Sequence, residues 1–372
     1  MATTVSLPVL LYHYISKHKD SIAVPPDQFN EHCRGMAAAG YRGVGLDQAV
    51  EYLRDGRPLP AKSVLITFDD GYLDNYVYAW PILAAHGHQG TVFAVTAKLE
   101  EPAPPRPTAT ESGPGASRAR VDQPFHPGAL GLPERKDLFL NWTEAQRLED
   151  SGAMQVAAHS HRHNSVFRGP FFKGERRLVK PEPRTRTFDR VDSPMPLGLP
   201  RFATAPGLSA RGFLVSDELL HLVRKTVPQD LGDAANFFRT PSNEAALWKR
   251  IDALGAEGWG RMESEDEYRQ RVYDDLAACR ATIDRHLGHA DAPRRQALAW
   301  PWGAFSATAL EIGRELGFRV FFATTFGANP PGRRPEQVHR FKARDKTSAW
   351  LLGRLFIYSR PLVAAAYAAL RI

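Results

Sequence analysis

Short apolar runs alternate with stretches of helical periodicity along most of the chain. The runs at residues 7–11, 62–68 and 90–97 each end in polar or turn-forming residues, a pattern typical of buried strands. Strands that alternate with helices form parallel sheets, and there are enough such units here to close a barrel. We therefore expect an α/β protein built as a distorted (β/α) barrel. Further strands are predicted at residues 153–160, 296–303 and 318–325, and helices at 26–40, 78–87, 142–151, 265–287 and 307–316.

Two segments interrupt this alternation, and both are predicted to be large loop insertions. Residues 101–133 are rich in Pro, Gly, Ser and Arg. Residues 164–263 look irregular, with short helical pieces near 217–227 and 244–254. We expect a barrel domain at residues 1–348 that carries both insertions, followed by an amphipathic C-terminal segment at 349–372.

Composition and charge narrow the class of protein only modestly. Hydrophobic residues make up 43% and charged residues 24% of the 372 residues, as in ordinary soluble globular proteins. The net charge of +7 suits an anionic partner, such as nucleic acid, an anionic membrane or a phosphorylated substrate, but also a merely solvated surface. No nucleic-acid-binding motif accompanies the charge, so we expect no nucleic-acid partner. The basic stretch at residues 168–190 could contact phosphate or be a solvated loop.

The two ends of the sequence bear on where the protein acts. The apolar run near the start is short, is broken by Pro8 and has no basic segment before it, so no signal peptide is predicted. This favours a cytoplasmic location. In the C-terminal segment, Arg354, Arg360 and Pro361 interrupt the apolar run. That pattern fits a helix lying at the inner membrane surface, or a helix packed across the barrel, and argues against a spanning helix.

Two adjacent carboxylates, Asp69 and Asp70, come at the end of a predicted strand. Alternate strand residues point to opposite faces, but a turn at Gly71 can bring both side chains into one pocket. Taken alone, Asp-Asp-Gly is also common in surface turns. At the carboxyl edge of a β/α barrel, however, such residues lie where active sites are built.

A cluster of three histidines strengthens the functional interpretation. His159 and His163 follow another predicted strand and are one helical turn apart if the chain turns into a helix there. Two imidazoles and one carboxylate form a common site for a divalent ion, with zinc expected and cobalt, nickel, manganese or iron as alternatives. His161, between them, is predicted to point elsewhere.

Such a set supports hydrolysis of an amide or ester. A metal with three protein ligands polarises a substrate carbonyl and activates a water molecule, and a second carboxylate beside it can act as general base. This division of labour explains why two adjacent Asp residues would be needed.

The motifs TFDDG at 67–71, HSHRH at 159–163 and AWPWG at 299–303, in this order, resemble the polysaccharide deacetylase family, also called the NodB-homology enzymes or carbohydrate esterase family four. The similarity is greatest to the branch of poly-N-acetylglucosamine deacetylases. LLYHYIS at 10–16 and FLNWTEAQRLEDSG at 139–152 also look like that branch. The resemblance implies a NodB-type barrel and removal of an N-acetyl or N-formyl group from an amino sugar.

The resemblance also implies a role for each matching residue. Asp69 corresponds to the general base and Trp302 to the residue whose backbone N–H holds the oxyanion. His13 corresponds to the general acid of the branch with an N-terminal Tyr-His motif, with His339 as the second candidate. The implied metal ligands are Asp70, His159 and His163.

One departure from the family pattern concerns the arginine that orients the base. Many members carry it in the third motif, where this chain has Ala299 or Trp300. Arg340, from a later predicted strand, is our candidate replacement. Tyr72, Trp300 and Trp302 are the candidate substrate-binding residues, because aromatic faces pack on sugar rings; for Trp142, core packing is the preferred interpretation.

The partner expected from these features is an N-acylated glycan or a lipid-phosphate-linked saccharide, the latter with a peripheral membrane contact. The alternative is a non-catalytic carbohydrate-binding barrel whose metal is structural. An intact Asp69 argues against it, because a binding module needs no base beside its metal.

Overall fold

The computed structural model describes residues 5–18, 20–111, 136–169, 176–181 and 195–370, with positions 121 and 191. Most of the insertion predicted at 101–133 and most of the basic stretch at 168–190 lie outside the described residues. The predictions made for those two segments therefore stay predictions.

Eight parallel strands form the central sheet, as the alternating pattern predicts. The order along the sheet is β13-β12-β7-β6-β5-β1-β14, and β4 pairs with the beginning of β5. The strands are β1 (Val9–Tyr12), β2 (Tyr14–Ile15), β3 (Ala23–Val24), β4 (Arg42–Gly43), β5 (Ser63–Asp70), β6 (Gly90–Ala94), β7 (Met154–Ala158), β8 (Ser165–Gly169), β9 (Ala203–Pro206), β10 (Phe213–Val215), β11 (Gly260–Met262), β12 (Ala297–Ala299), β13 (Val320–Phe322) and β14 (Phe341–Lys342).

The sheet curls until its two edges meet. Val338, three residues before β14, bridges in parallel to Phe322 of β13 at the opposite edge. The result is the distorted barrel of the NodB type that the motifs imply. The helices are α1 (Pro26–Ala38), α2 (Leu46–Asp55), α3 (Trp80–Ala85), α4 (Trp142–Asp150), α5 (Asp217–Thr226), α6 (Leu231–Arg239), α7 (Pro241–Asp252), α8 (Gly255–Trp259), α9 (Glu265–Leu287), α10 (Ala307–Glu315), α11 (Ser348–Tyr358) and α12 (Pro361–Ala369).

Strand β5 shows how the sequence divides the core. Every residue of the strand is buried, and neighbouring residues face different hydrophobic clusters. Ile66 packs in the larger cluster, which includes side chains of α1, whereas Leu65 packs in a smaller one with residues of β1, β6 and β13. The second cluster fills the barrel interior, and the residues two and four positions beyond Leu65 on the same face are Thr67 and Asp69.

The segment at 164–263 differs from the predicted loop, because its described part is a folded unit. The antiparallel pairs β8–β9 and β10–β11 and helices α5 to α8 enclose a hydrophobic cluster of their own. The helical pieces predicted near 217–227 and 244–254 correspond to α5 and α7, while α6 was not predicted. The strands and helices of this segment are short, so their apolar residues do not repeat often enough to reveal helical or strand periodicity.

The sequence suggests Thr143 as the cap of helix α4, with Gln146 three residues later, but the helix begins one residue earlier, at Trp142. Asn141, not Thr143, is the N-cap, and its side chain accepts the Glu144 N–H at 2.8 Å. The Glu144 carboxylate in turn accepts the Asn141 N–H, which completes a capping box. Thr143 lies within the first helical turn, where it cannot cap the helix.

The C-terminal segment forms two helices, and the first packs against the barrel. Leu351 and Leu355 of α11 are buried, and Ser348 Oγ donates to the Glu31 carbonyl of α1 at 2.7 Å. Helix α12 is more exposed, and 87% of Leu362 is accessible. Within the described part of the chain, no helix combines the length and the apolar character that crossing a bilayer would require.

Candidate active site

The candidate residues meet at the carboxyl edge of the barrel. Asp69 and Asp70 end β5, His159 directly follows β7, and Trp302 lies in the turn after β12. Because these strands run parallel, their carboxyl ends share one edge, which is where sites form in such barrels. The motifs that are far apart in sequence are therefore brought together as predicted.

Backbone conformation at this edge is unusual. Asp70, Ser160, His163 and Trp302 have φ angles of 82°, 67°, 55° and 55°, four of the seven positive-φ non-glycine residues in the described chain. Such conformations cost free energy and persist where the surroundings enforce them. At Asp70 the left-handed conformation turns the carboxylate toward the histidines, although strand alternation would point it away from the side of Asp69.

The His159–His163 segment is not the helix expected from its spacing. It leaves β7 as an irregular bend in which Ser160 Oγ accepts the His163 N–H at 3.0 Å. The bend still brings the ring centroids of His159 and His163 to 5.0 Å. The predicted convergence of the two rings is present, but a local turn produces it rather than helical periodicity.

Asp70, His159 and His163 have the composition and spacing of a metal site. One ligand atom from each lies within 4.8 Å of the other two, and all three residues are buried. Asp70 Oδ1 is 3.4 Å from His159 Nε2 and 3.7 Å from His163 Nε2. Among the described residues this oxygen has no hydrogen-bond partner. A buried carboxylate oxygen facing two imidazole nitrogens fits a divalent cation.

The tautomer of His159 is set by its contact with β12. Its Nδ1 lies 2.8 Å from the Ala299 carbonyl, which can only accept, so Nδ1–H is the donor. The Nε2 lone pair then faces Asp70, as a metal ligand requires. Burial lowers the pKa of His159, but the carboxylates of Asp69 and Asp70 outweigh it and the net pKa is raised.

The second imidazole ligand candidate stays neutral. Burial lowers the pKa of His163 to about 3, more than the nearby Asp70 carboxylate raises it. Neutral imidazole is the form that binds metals. Burial alone would raise the pKa of Asp70, yet the surrounding histidines hold it below its ordinary value, so the carboxylate is ionised.

Asp69 is held by Arg340, the residue considered as a replacement for the missing family arginine. Arg340 Nη1 and Nη2 contact the two Asp69 oxygens at 2.6 and 2.9 Å, and both side chains are buried. Burial favours the neutral acid, but Arg340 and His159 together lower the pKa of Asp69. The geometry keeps an ionised carboxylate in one orientation, with Oδ2 3.7 Å from His159 Nε2.

The two candidate acids differ in position. His13 follows β1 and interacts electrostatically with Asp70, Asp69, Arg340 and His159, while burial is the main cause of its lowered pKa. His339 instead pairs with the Thr325 hydroxyl, with Nδ1 and Oγ1 2.8 Å apart. Of the two candidates, His13 is therefore the one that interacts with both carboxylates of the site.

The aromatic candidates separate into exposed and buried residues. Trp302 is 38% exposed and its ring centroid lies 4.1 Å from that of His163. Trp300 is fully buried and stacks on Phe305 and Phe321. The prediction that Trp300 binds sugar is therefore wrong, because its strand position directs the ring into the helix-facing core.

Tyr72 also has little surface to offer a sugar. It is 1% exposed, and its ring stacks on Tyr14 at 4.0 Å and on Phe139 at 5.1 Å. Its hydroxyl interacts electrostatically with Asp70 and Tyr14, and burial raises its pKa. The predicted stacking platform is covered, so Tyr72 contributes to the wall behind Asp70.

A cavity of about 410 Å³ opens beside His163. It lies between α9 and the inserted unit, in the size range of small-ligand pockets. Its lining includes Asn164, Leu208, Gln270 and Asp274. The sequence gives no sign of this cavity, because its pattern predicts a loop where the inserted unit forms one wall.

The sequence profile of the polysaccharide deacetylases matches residues 56–185, which contain both the Asp-Asp and the His motifs. Residues 56–185 therefore carry a polysaccharide deacetylase domain. A Bacillus subtilis protein named as a polysaccharide deacetylase, YxkH, is 39% identical over 89 residues, which cover 24% of this chain and 32% of that protein.

Two further deacetylases extend the comparison. The poly-β-1,6-N-acetyl-D-glucosamine N-deacetylase of Escherichia coli K12 is 50% identical over 46 residues, or 12% of this chain and 7% of that enzyme. The aligned regions thus span a third or less of these two curated relatives. The BpsB deacetylase domain of Bordetella bronchiseptica has the same fold, with a TM-score of 0.54, 21% identity and coverage of 91% of this chain and 96% of that domain.

Some residues around the site carry no family signature. Thr96 Oγ1 pairs with His161 Nδ1 at 2.8 Å, so His161 points away from the ligand set, in accordance with the prediction. Asp275 of α9 contacts the backbone of the histidine bend. The helical pattern of α9 identifies its core face but gives no signal that Asp275 reaches the bend.

Proposed function

We propose that this protein is a metal-dependent hydrolase that removes the N-acetyl group from an amino sugar of a glycan. The observation that carries this proposal is the Asp69–Arg340 pair beside the buried set of Asp70, His159 and His163. An ionised, oriented carboxylate next to a metal site is what hydrolysis of an amide needs and what a structural metal does not need.

The proposed ion is zinc, with cobalt, nickel, manganese or iron as alternatives, held by Asp70, His159 and His163. When bound, it would supply a Lewis acid that polarises the amide carbonyl and lowers the pKa of a water molecule. Two atoms are available as ligands for this ion. Asp70 Oδ1 has no hydrogen-bond partner among the described residues, and His159 Nε2 is oriented by the contact of Nδ1 with the Ala299 carbonyl.

Side chains of the protein are assigned to the proton transfers. Asp69 takes the proton of the attacking water, and Arg340 holds it ionised and aimed for that step. His13, which faces both carboxylates, donates the proton that the departing amine needs. The Trp302 backbone N–H is assigned to the carbonyl oxygen as negative charge develops there. Cleavage of the C–N bond then yields acetate and the free amino sugar.

A glycan chain suits this site better than a saccharide held at a membrane by the C-terminal helices. Ser6 Oγ donates to the Tyr358 carbonyl at 2.7 Å, and Arg360 shares a small cavity with Ser6 and Ser63. These contacts place the start of α12 at the amino-terminal edge of the barrel. Along β5, Ser63 and Asp70 are about 23 Å apart, so a bilayer touching that edge would lie far from the site.

The membrane contact and the cytoplasmic location stay predictions. Exposed Phe356 and Leu362 lie near Arg360, which could suit an anionic surface. Flotation with anionic vesicles tests the contact directly. Recovery of the protein with the vesicles would support it, and recovery in the unbound fraction would leave only the glycan version of the proposal.

The decisive experiment is acyl release from a panel of substrates by metal-reconstituted protein. The panel holds N-acetylglucosamine oligomers, N-formylated analogues and a lipid-phosphate-linked amino sugar. Asp69→Asn keeps the shape but removes the base, so the rate should fall about 10²- to 10⁴-fold. Asp55→Asn, an exposed carboxylate paired with Arg54, is the matched control.

Each outcome separates two readings of the site. Turnover that requires the metal and fails in Asp69→Asn supports the hydrolase, and the preferred substrate distinguishes glycan from lipid-linked sugar. If the protein binds zinc and N-acetylglucosamine oligomers but releases no acetate or formate, the carbohydrate-binding alternative replaces the hydrolase.

A further inference from the structure

The bend between the two histidine ligands has little regular structure of its own. The strand pairing of β7 ends before His159, and residues 160–163 hold two left-handed backbone conformations, at Ser160 and His163. His159 is anchored by the Ala299 carbonyl. The position of His163 relative to His159 therefore depends on whatever holds the backbone between them.

Two backbone hydrogen bonds restrain this bend from the barrel side. The loop after β6 donates two backbone hydrogen bonds, from Thr96 N–H to the Ser160 carbonyl at 3.3 Å and from Ala97 N–H to the His161 carbonyl at 2.9 Å. These contacts satisfy carbonyl groups. The N–H groups of residues 161 and 162 face the other way, toward helix α9.

Asp275 supplies the acceptors on that side. Its Oδ1 accepts the His161 N–H at 2.9 Å, and its Oδ2 accepts the Arg162 N–H at 3.1 Å. One carboxylate therefore uses both oxygens on two consecutive amides that lie between the ligands. It comes from the middle of α9, a 23-residue helix, which gives the carboxylate a rigid support.

Other groups near Asp275 are committed elsewhere. Arg271, one turn earlier on α9, pairs with Glu263 and donates to the Gly207 carbonyl at 2.9 Å. Asp274 accepts from the Gln270 side chain at 2.8 Å and is exposed. Of these two adjacent aspartates, Asp275 is the more buried and is the one that contacts the bend.

We propose that Asp275 is a positioning residue that fixes the spacing of the two histidine ligands by clamping the backbone between them. Its hydrogen bonds go to backbone N–H groups between the ligands and not to the ligand atoms. Its two acceptor oxygens cannot be replaced by an amide, because the NH₂ group of Asn would face one of the two N–H donors. The inference rests on the proposed metal site, which defines what the spacing is for.

The test compares Asp275→Asn with Asp274→Asn, which has the same charge change one residue away. Zinc affinity is measured by competition with a chromophoric chelator, and the visible spectrum of the cobalt-substituted protein reports ligand geometry. Asp275→Asn should weaken zinc binding by about 10- to 100-fold, the range typical for groups that orient metal ligands. Its cobalt spectrum should shift, whereas Asp274→Asn should match the wild type.

A second readout needs no metal. Hydrogen exchange at the amides of residues 161 and 162, measured by mass spectrometry on metal-free protein, should speed up in Asp275→Asn and not in Asp274→Asn. If wild-type protein binds no divalent ion, the proposed function fails, but exchange still decides whether the clamp exists.

The outcome that overturns the inference is unchanged zinc affinity, cobalt spectrum and exchange in Asp275→Asn. If that variant does not fold, Asp275→Glu takes its place, because it keeps both acceptors at the end of a side chain one methylene longer. The clamp predicts an intermediate loss of zinc affinity for Asp275→Glu. Wild-type zinc affinity in Asp275→Glu, and in Asp275→Asn where it folds, would assign the metal spacing to other contacts.

Discussion

Two regions of this chain each contain a buried arginine–carboxylate pair, and the surroundings give the two pairs different roles. At the carboxyl edge of the barrel, Arg340 holds Asp69, and their side chains are 0% and 4% exposed. At the junction of the inserted unit with α9, Arg271 holds Glu263, at 21% and 6% exposure. The second pair reaches solvent through its arginine, while the first is closed on every side.

The partners of each carboxylate show what the pair is for. Besides Arg271, Glu263 accepts the Gly212 N–H of the inserted unit at 2.6 Å, so the pair joins that unit to the barrel. Besides Arg340, Asp69 faces His159, so the pair orients a carboxylate beside the proposed metal site. The same ion-pair chemistry therefore serves cohesion in one region and orientation in the other.

The largest effect on stability is expected for Arg340→Met. Methionine has a similar length but leaves the Asp69 carboxylate buried without its counter-charge, which should cost about 3–5 kcal/mol in free energy of unfolding. Urea unfolding with a chelator in all samples measures it. The double variant Asp69→Asn/Arg340→Met should lose less than Arg340→Met alone, and a cost below about 1 kcal/mol for the single variant would show that the pair is not desolvated.

A smaller loss is expected for Glu263→Gln at the other pair. Glutamine keeps one acceptor but loses the charge-assisted contacts, at a cost of about 1.5–3 kcal/mol at pH 7. Glu257→Gln, on an exposed helix of the same inserted unit, is the control and should stay within about 0.5 kcal/mol of wild type. If Glu263→Gln and Glu257→Gln have equal free energies of unfolding, the Arg271–Glu263 pair does not join the inserted unit to the barrel.

The contribution of the Arg271–Glu263 pair to stability should depend on pH, and the direction of the Glu263 pKa shift sets the sign of that dependence. Burial raises the pKa of Glu263, but Arg271 and the Gly212 N–H outweigh it and the net pKa is lowered in the folded protein. The pair therefore contributes fully above the unfolded pKa of about 4.3 and loses its contribution as pH falls through the folded value. The gap in unfolding free energy between wild type and Glu263→Gln should be constant near neutrality and shrink in acid.

The smallest effect is expected at the exposed ring of Trp302. Trp302→Ala keeps the backbone N–H assigned to the oxyanion, so kcat should be nearly unchanged. Loss of an aromatic face should raise KM by about 2- to 13-fold, the equivalent of one aromatic contact. Phe356→Ala, an exposed aromatic on α11, is the control, and a kcat loss equal to the KM change would mean that the ring also positions the His163 bend.

Much of the barrel and the centre of the site could be predicted from the sequence. Asp69, Asp70 and His159 end buried strands, and parallel strand ends share one edge, so the convergence of these three needed only the strand assignments. The folded insertion could not be predicted, because its short elements show no sustained period. Trp300 was misassigned because a motif position does not reveal which side of a strand a ring faces.

Contacts set by long-range packing were harder to predict. The spacing of His159 and His163 suggested a helix, but the bend depends on Ser160 and on backbone contacts with other segments. Arg340 was identified only as a candidate, because nothing local in the sequence fixes its pairing with Asp69. The Asp275 contacts lie more than 110 residues from the bend in sequence and gave no signal at all.

The bridge between Phe322 and Val338 bears on the order in which the site is assembled. Asp69 and Arg340 are 271 positions apart, and Arg340 reaches the barrel interior with the last strand. During synthesis the three ligand candidates leave the ribosome long before Arg340 does. All three ligand candidates are therefore synthesised while Asp69 still lacks its arginine partner, so the two parts of the proposed site are completed at different times during synthesis.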